Sequence, residues 1–505
     1  MAMQGSFGGN GTTRRGLFRQ ATLGTTVAST ALATACSPAD ISLPFSPTAI
    51  PPVTIKMQVW DDIQDKDVYD AIAADYTAAN PNVKVANDHQ VNGNGNPGYY
   101  DKFQSGVASG NPPDLAYFQG WQWQSYAVSG ALQELDDRAA RDKWTAPWPN
   151  DDAYELQTKF RAKRYLSPSN IGTMVMFYVK EHFDRAGVTY PKPDWTITDF
   201  QETARKLTGT TDRGPVYGYQ WNPGYLRNTP WWRMNGRLEW DRIAEPKQAN
   251  WTAPEIAEAL QYQLFDTQYT LKVAPTQATL EQNPEANRLE FGNVAMKVEG
   301  PWFLPRMWGD KAKRPGGTAF DVQVLPTGRT GKKVHLNLVE GQVMTKASKV
   351  PDAAWGLMKW IAGDAGQKRI AEGGRMCNVP DTNRRFWLPL ATQRYNVANA
   401  DAFLKAIEGS TINLVGAVTE AVLDREADLS RTLDRMRFGT LPAKDALEIL
   451  QPRIQSVLDA WWAKQGVKYI DRLNEIGIQM LDRVAVRSIT LSHVIKYHHA
   501  RHVWI

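Results

Sequence analysis

The sequence predicts an α/β fold, and three observations carry that expectation. Strand-like and helix-like segments alternate from Val53 to Gly130, the pattern of a largely parallel sheet with helical crossovers. The alternation resumes at Met174 and again near Val294 and Val322. The chain has 505 residues, too many for one ordinary domain of ~100–200 residues. Two α/β lobes with extra helices towards the C-terminus are therefore expected.

Taken in order, Val53 to Val59 alternates apolar and polar side chains and reads as a strand. Val68, Ala71, Ile72 and Tyr76 recur at helical spacing, and that helix stops at Asn80-Pro81 because the residue before proline leaves the helical region. Val83 to Val91 is a second strand. Tyr100, Phe103 and Val107 mark another helix, ended by Gly110-Asn111-Pro112-Pro113. Asp114 to Phe118 is a third strand, with a short helix up to Gly130. Met174 to Tyr178, Val294 to Val298 and Val322 to Leu325 are apolar runs typical of buried strands. Helical patterns cover Ala353–Ile361, Ala400–Glu408, Val415–Leu433 and Ala443–Trp462.

The two ends read differently. Thr13-Arg14-Arg15-Gly16-Leu17-Phe18-Arg19 resembles a twin-arginine export motif, and an uncharged stretch follows to Ala35. Leu32-Ala33-Thr34-Ala35-Cys36 resembles the lipobox of bacterial lipoproteins, which makes Cys36 the expected acylation site. Residues 1–36 are thus read as a signal, and 37–52, with five prolines, as an extended tether. Residues 484–505 form a basic tail with four of the seven histidines, read as a tail rather than a metal site.

Composition narrows the chemistry. Apolar residues at 42% and charged residues at 22% exclude a disordered chain. Two cysteines, Cys36 and Cys377, exclude a disulfide scaffold and a cysteine-built zinc site. The formal charge of +5 points to nucleic acid only until it is apportioned. Arg14, Arg15 and Arg19 in the signal and Arg487, Lys496 and Arg501 in the tail meet no acid in their segments, so the body between is near neutral. No nucleic-acid partner is expected.

Gly93-Asn94-Gly95-Asn96-Pro97-Gly98 fits a dinucleotide fingerprint, but it follows the second strand and Pro97 removes a backbone donor, so it reads as a loop. Nucleophile-elbow, phosphate-loop and metalloprotease motifs are missing from the sequence. The 19 tryptophans are more telling. Trp60, Trp121, Trp123, Trp221, Trp231, Trp232 and Trp302 fall at strand ends or in polar loops, where α/β sheets bind ligands. Flat rings there stack on sugars, although burial habit assigns about half of such rings to core.

Three blocks carry a resemblance. They are Tyr100-Asp101-Lys102-Phe103 with Ala108 to Leu115, Gly292 to Trp302, and Lys346 to Trp355. Together they resemble family 1 extracellular solute-binding proteins, the sugar receptors of ATP-binding-cassette importers. The resemblance implies a two-lobed periplasmic-binding-protein-like clamp that binds its ligand between lobes. One lobe would comprise 53–168 plus 341–380 and the other 172–338 plus 381–483, with crossings near Pro168–Gly172, Leu338–Gly341 and Val379–Thr382. It further implies ligand contacts at Trp60, Asp61 and Asp62, at Gln119, Trp121, Gln122 and Trp123, at Tyr178, at Trp231, Trp232 and Asn235, at Trp302, and at Arg375. The implied protein is a monomeric, lipid-anchored, exported receptor with a carbohydrate ligand, a membrane permease partner, no cofactor and no catalysis. The rival classes are an exported carbohydrate-active enzyme, which needs two carboxylates flanking a cleft, and a tethered sensor without a permease.

Overall fold

The structure is a computed structural model that describes residues 52–60, 63–90, 98–148, 152–222, 224–309, 319–408, 410–419, 422 and 429–485. These all belong to the compact unit Pro51–Ile505. The signal with Cys36, the tether up to Pro51, the Asp61-Asp62 pair, most of the Gly93–Gly98 loop and the tail from Val486 lie outside the described residues.

Two sheets organise the unit. The first contains β1 (Val53–Trp60), β2 (Val83–Gln90), β3 (Leu115–Gln119), β4 (Leu166–Gly172), β8 (Leu338–Met344) and β9 (Met376–Cys377), in the order β9-β4-β8-β3-β1-β2. The second contains β5 (Val175–Val179), β6 (Met296–Glu299) and β7 (Phe320–Gln323), in the order β6-β5-β7. The chain leaves the first sheet after Gly172 and enters the second at Val175. It returns between Gln323 and Leu338. After β9 it reaches the second sheet once more, where Asn399 hydrogen-bonds Asp321 and Val322 of β7.

The local sequence explains the individual strands. β1 is paired on both sides, to β2 and β3, and buries Ile55, Met57 and Val59 completely. β2 lies at the sheet edge, and its second half is polar, Asn87-Asp88-His89-Gln90, as suits a strand with one unpaired side. Three apolar clusters fill the unit. One joins the first sheet to helices Ile63–Ala79 and Pro351–Ala362 through Ile72, Trp355 and Met358. The second belongs to the second sheet and the C-terminal helices. The third crosses between the sheets, with Phe118 and Val339 on one side and Phe177 and Val322 on the other.

The last helix, Ala443–Ala485, is integral to the fold. Leu447, Leu450, Ile454 and Leu458 are fully buried in the second cluster at helical spacing. At about 1.5–3 kcal/mol each, their burial contributes roughly 6–12 kcal/mol before chain entropy, too much for an appendage.

Two sequence expectations are corrected. β1, β2 and β3 are parallel, but β8 runs antiparallel between β3 and β4, so the first sheet is mixed. β8 enters from the other sheet and so arrives from the opposite end. Val415–Leu433 is not one helix. Gly416 has φ +130°, Val415 bridges Ala244, and the helix runs Leu429–Arg437. The Glu245 carboxylate accepts the Ala417 N–H at 2.8 Å, which satisfies a turn where the periodicity suggests a helix.

Two buried groups belong to the crossovers. Cys377 is buried on β9 and its thiol is pushed up to about 12 by burial. His335, on the way back to β8, accepts the Leu325 N–H at 3.0 Å, and burial together with Lys333 lowers it to about 4. Between pH 6.5 and 4 the unfolded chain therefore binds a proton at His335 that the native state refuses, so stability falls as pH drops through that window. Urea midpoints should show a loss of up to about 3 kcal/mol from this group by pH 4. His335→Gln should flatten that part of the profile, and an unchanged slope would remove His335 as its source.

Candidate functional site

The first sheet carries a buried polar cluster on one face, centred on Glu340. Register explains the assembly: Glu340 of β8 lies opposite Gln119 of β3 on one side and Asn170 of β4 on the other. Its carboxyl group accepts the Tyr117 O–H at 2.7 Å and the Asn170 amide N–H at 2.7 Å. The Gln119 amide approaches at 3.5 Å and the Arg375 guanidinium at 3.9 Å. A register shift between Glu340 and Gly341 bends β8 against β4. Gly341 is required there, because a Cβ would meet the Ser167 carbonyl oxygen at 2.1 Å. Trp60, at the carboxyl end of β1, packs edge-on against Tyr117 with ring centroids 4.7 Å apart. Its indole N–H has no partner among the described residues.

The second sheet presents Trp302 to the end of β4. A Cβ on Gly172 would lie 3.0 Å from the Trp302 ring, so any larger residue there would have to push the ring away. The Trp302 indole N–H donates to Glu299 at 2.9 Å, and Arg227 lies over the ring at 5.7 Å. Burial alone would raise the Glu299 carboxyl, but Arg227, Lys297 and the indole N–H hold it at about 2. Trp302 is half-buried while Glu299 is 5% exposed, so the ring is the part offered to a partner.

The expected site residues divide into three groups. Trp60, Gln119 and Arg375 converge on Glu340, and Trp302 reaches the strand that carries Asn170. Gln122 is tied to Tyr100 by a hydrogen bond, and Trp121 packs into the cluster of the second sheet. Tyr178 lies in β5 against Phe183 and Tyr190, with its hydroxyl raised by burial and by Asp321. Trp123 and Trp232 are corrections. Both are fully buried, and their N–H groups donate to Gln157 at 3.0 Å and Glu239 at 2.8 Å, so they serve the core. Trp231 is also buried, against Phe200, and with Asn235 borders a separate recess beside Tyr262 and Gln263. Tyr117, Asn170, Glu299 and Glu340 were not singled out from the sequence. The available signal was a polar residue inside an apolar strand, as in Leu338-Val339-Glu340-Gly341.

Bacterial extracellular solute-binding proteins match residues 60–368 of the chain. The chain belongs to that family. Solved structures share its fold, the two-lobed clamp of periplasmic binding proteins. An ABC substrate-binding protein from Listeria monocytogenes, in complex with cycloalternan, is 21% identical with a TM-score of 0.70, covering 81% of this chain and 99% of that one. A receptor from Streptomyces glaucescens, solved unliganded and with acarbose, is 19% identical with a TM-score of 0.65, covering 81% and 99%. A maltose/maltodextrin-binding domain from Bdellovibrio bacteriovorus, bound to maltotriose, is 18% identical with a TM-score of 0.62, covering 81% and 100%. Among the described residues of this solute-binding protein, no helix is long and apolar enough to cross a membrane.

Glu340→Ala removes the acceptor of the Asn170 amide N–H inside the sheet and one of two acceptors within reach of the Tyr117 hydroxyl, the other being the Asn170 side-chain oxygen at 2.8 Å. It should destabilise the protein by about 2–4 kcal/mol in urea unfolding, whereas Glu340→Gln, which keeps an acceptor, should cost about half as much. Equal losses would show that the carboxylate charge, rather than the hydrogen bonds, holds the cluster.

Proposed function

We propose that this solute-binding protein is the exported receptor of an ATP-binding-cassette importer and captures a carbohydrate between its lobes. The lobes are assigned as 53–168 plus 341–380 and 172–338 plus 381–483. The carrying observation is the half-buried Trp302 ring, fixed by Glu299 at the end of the strand whose Asn170 joins the Glu340 cluster. A flat apolar face beside amide, hydroxyl and guanidinium groups suits a neutral polyhydroxylated ligand, whose ring stacks while its hydroxyls take the polar groups. Ligand contacts are assigned to Trp60, Gln119, Trp302 and Arg375, with Asn170 added. Asp61 and Asp62 follow β1 directly and are retained, as are Gln122, Trp121 and Tyr178, the last two buried. Sugar complexes of the structural relatives support this ligand class. Capture involves no bond making. Cys36 is the proposed lipid anchor, the tether spaces the monomeric body from the membrane, and lobe closure is the signal to the permease.

Calorimetry against α-glucan, β-mannan and monosaccharide ligands should find at least one saturable binder with no product formed. Trp302→Ala should weaken that binder about 5- to 150-fold, the equivalent of about 1–3 kcal/mol for a stacked ring. Binding of peptides or polyamines in place of every sugar would sink the assignment.

A further inference from the structure

Trp302 shares Glu299 with two cations. One carboxylate oxygen accepts the indole N–H at 2.9 Å and an Arg227 N–H at 3.2 Å, while Lys297 lies 3.3 Å from the other oxygen. Lys297 and Glu299 are both buried, their side chains 8% and 7% exposed, and Lys297 also lies over the Phe303 ring at 4.2 Å. Glu299 thus has a counter-ion inside the lobe, as a buried charge requires. Arg227 is the outer cation, with its side chain 26% exposed.

Its own helix does not favour Arg227 either. It is the third residue of Tyr225–Met234, a helix without an acid in its first turn. A helix N-terminus carries partial positive charge, so a cation there is mildly unfavourable. The helix is nevertheless firmly held. Arg233 donates to both oxygens of Glu239, at 3.1 and 2.7 Å, and to the Ile412 carbonyl at 2.6 Å. Arg227 therefore projects from a fixed support, and its guanidinium lies over the Trp302 ring, 5.7 Å from the centroid. That distance is near the outer limit of a cation–π contact, so the ring alone holds it weakly.

We propose, on the reading that a sugar stacks on Trp302, that Arg227 is a specificity-determining contact of that site: as the sugar stacks, the guanidinium moves from over the ring to its rim and donates to two neighbouring hydroxyls of the stacked unit. The hydrogen bond to Glu299 holds the guanidinium through this movement. A planar fork of N–H groups fits two oxygens held side by side. On a neutral sugar these are hydroxyls on adjacent ring carbons. The Glu299 carboxylate beside the fork discourages a further anion, so this edge of the ligand is uncharged. The stacked unit is consequently one that is neither linked nor branched at those two carbons.

The test is calorimetry on the full chain with maltotriose, mannotriose, glucose and glucuronate, and with forms of the bound sugar that lack one ring hydroxyl. Arg227→Ala should weaken binding about tenfold. Arg227→Lys keeps a cation beside Glu299, so its folding is not at issue, but it loses the fork and should recover only part of the affinity. Removing one hydroxyl of the pair should cost wild type about tenfold and cost Arg227→Ala almost nothing, because the partner is already gone. The proposal is overturned if either variant binds as tightly as wild type, if every deoxy form loses as much affinity on Arg227→Ala as on wild type, or if glucuronate binds wild type in preference to the neutral sugars. If no sugar binds wild type, the sugar assignment falls and this contact with it. If a sugar binds and Arg227 is indifferent, this contact alone falls.

Discussion

A carboxyl group in the middle of an apolar strand is the constraint on which the first sheet depends. Glu340 is 7% exposed, with partners from β3 and β4 and the guanidinium beside β9. Burying such a group without partners is expensive, and supplying them fixes which strands must be neighbours and in which register. A slip of one residue along β8 would turn Glu340 to the opposite face and place Val339 or Gly341 against Tyr117. The same partners stand where the carboxyl ends of parallel strands meet an incoming antiparallel one. The atoms that fix the register are therefore the same ones proposed to meet the ligand.

Most of the strand and helix pattern was legible. β1, β2 and β3 and the helices between them follow from alternation, helical spacing and the proline and glycine stops, because each signal is local. The direction of β8 was not legible, because it depends on a chain path that leaves one sheet and returns from the other. Gly416 hid a turn inside an apolar periodic run for a similar reason: the carboxylate that stabilises the turn, Glu245, lies far away in sequence. Resemblance to a family covered the architecture but not the accounting of individual side chains.

The rings show where reading residue types from a sequence stops. Trp302 and Trp232 are the same residue type, each with its indole N–H donating to a buried glutamate, and residue type alone does not separate them. What separates them is the partner of the indole N–H. For Trp232 that partner is Glu239, itself wholly buried and paired with Arg233, so the ring is drawn inward. For Trp302 it is Glu299, only three residues back, so the ring stays at the surface of its lobe beside Gly172. The proposed site and the core use the same amino acid and the same hydrogen bond with different reach.

The cysteine sealed behind β9 has a consequence for life outside the cell. An oxidising compartment turns exposed lone thiols into mixed disulfides and cross-linked pairs of chains. Cys377 presents neither the access nor the thiolate that such exchange requires, since its sulfur faces the Gln367 carbonyl inside the fold. The folded body can thus carry a free cysteine through such a compartment without covalent dimerisation, and any thiol chemistry of this chain is left to its other cysteine, at position 36.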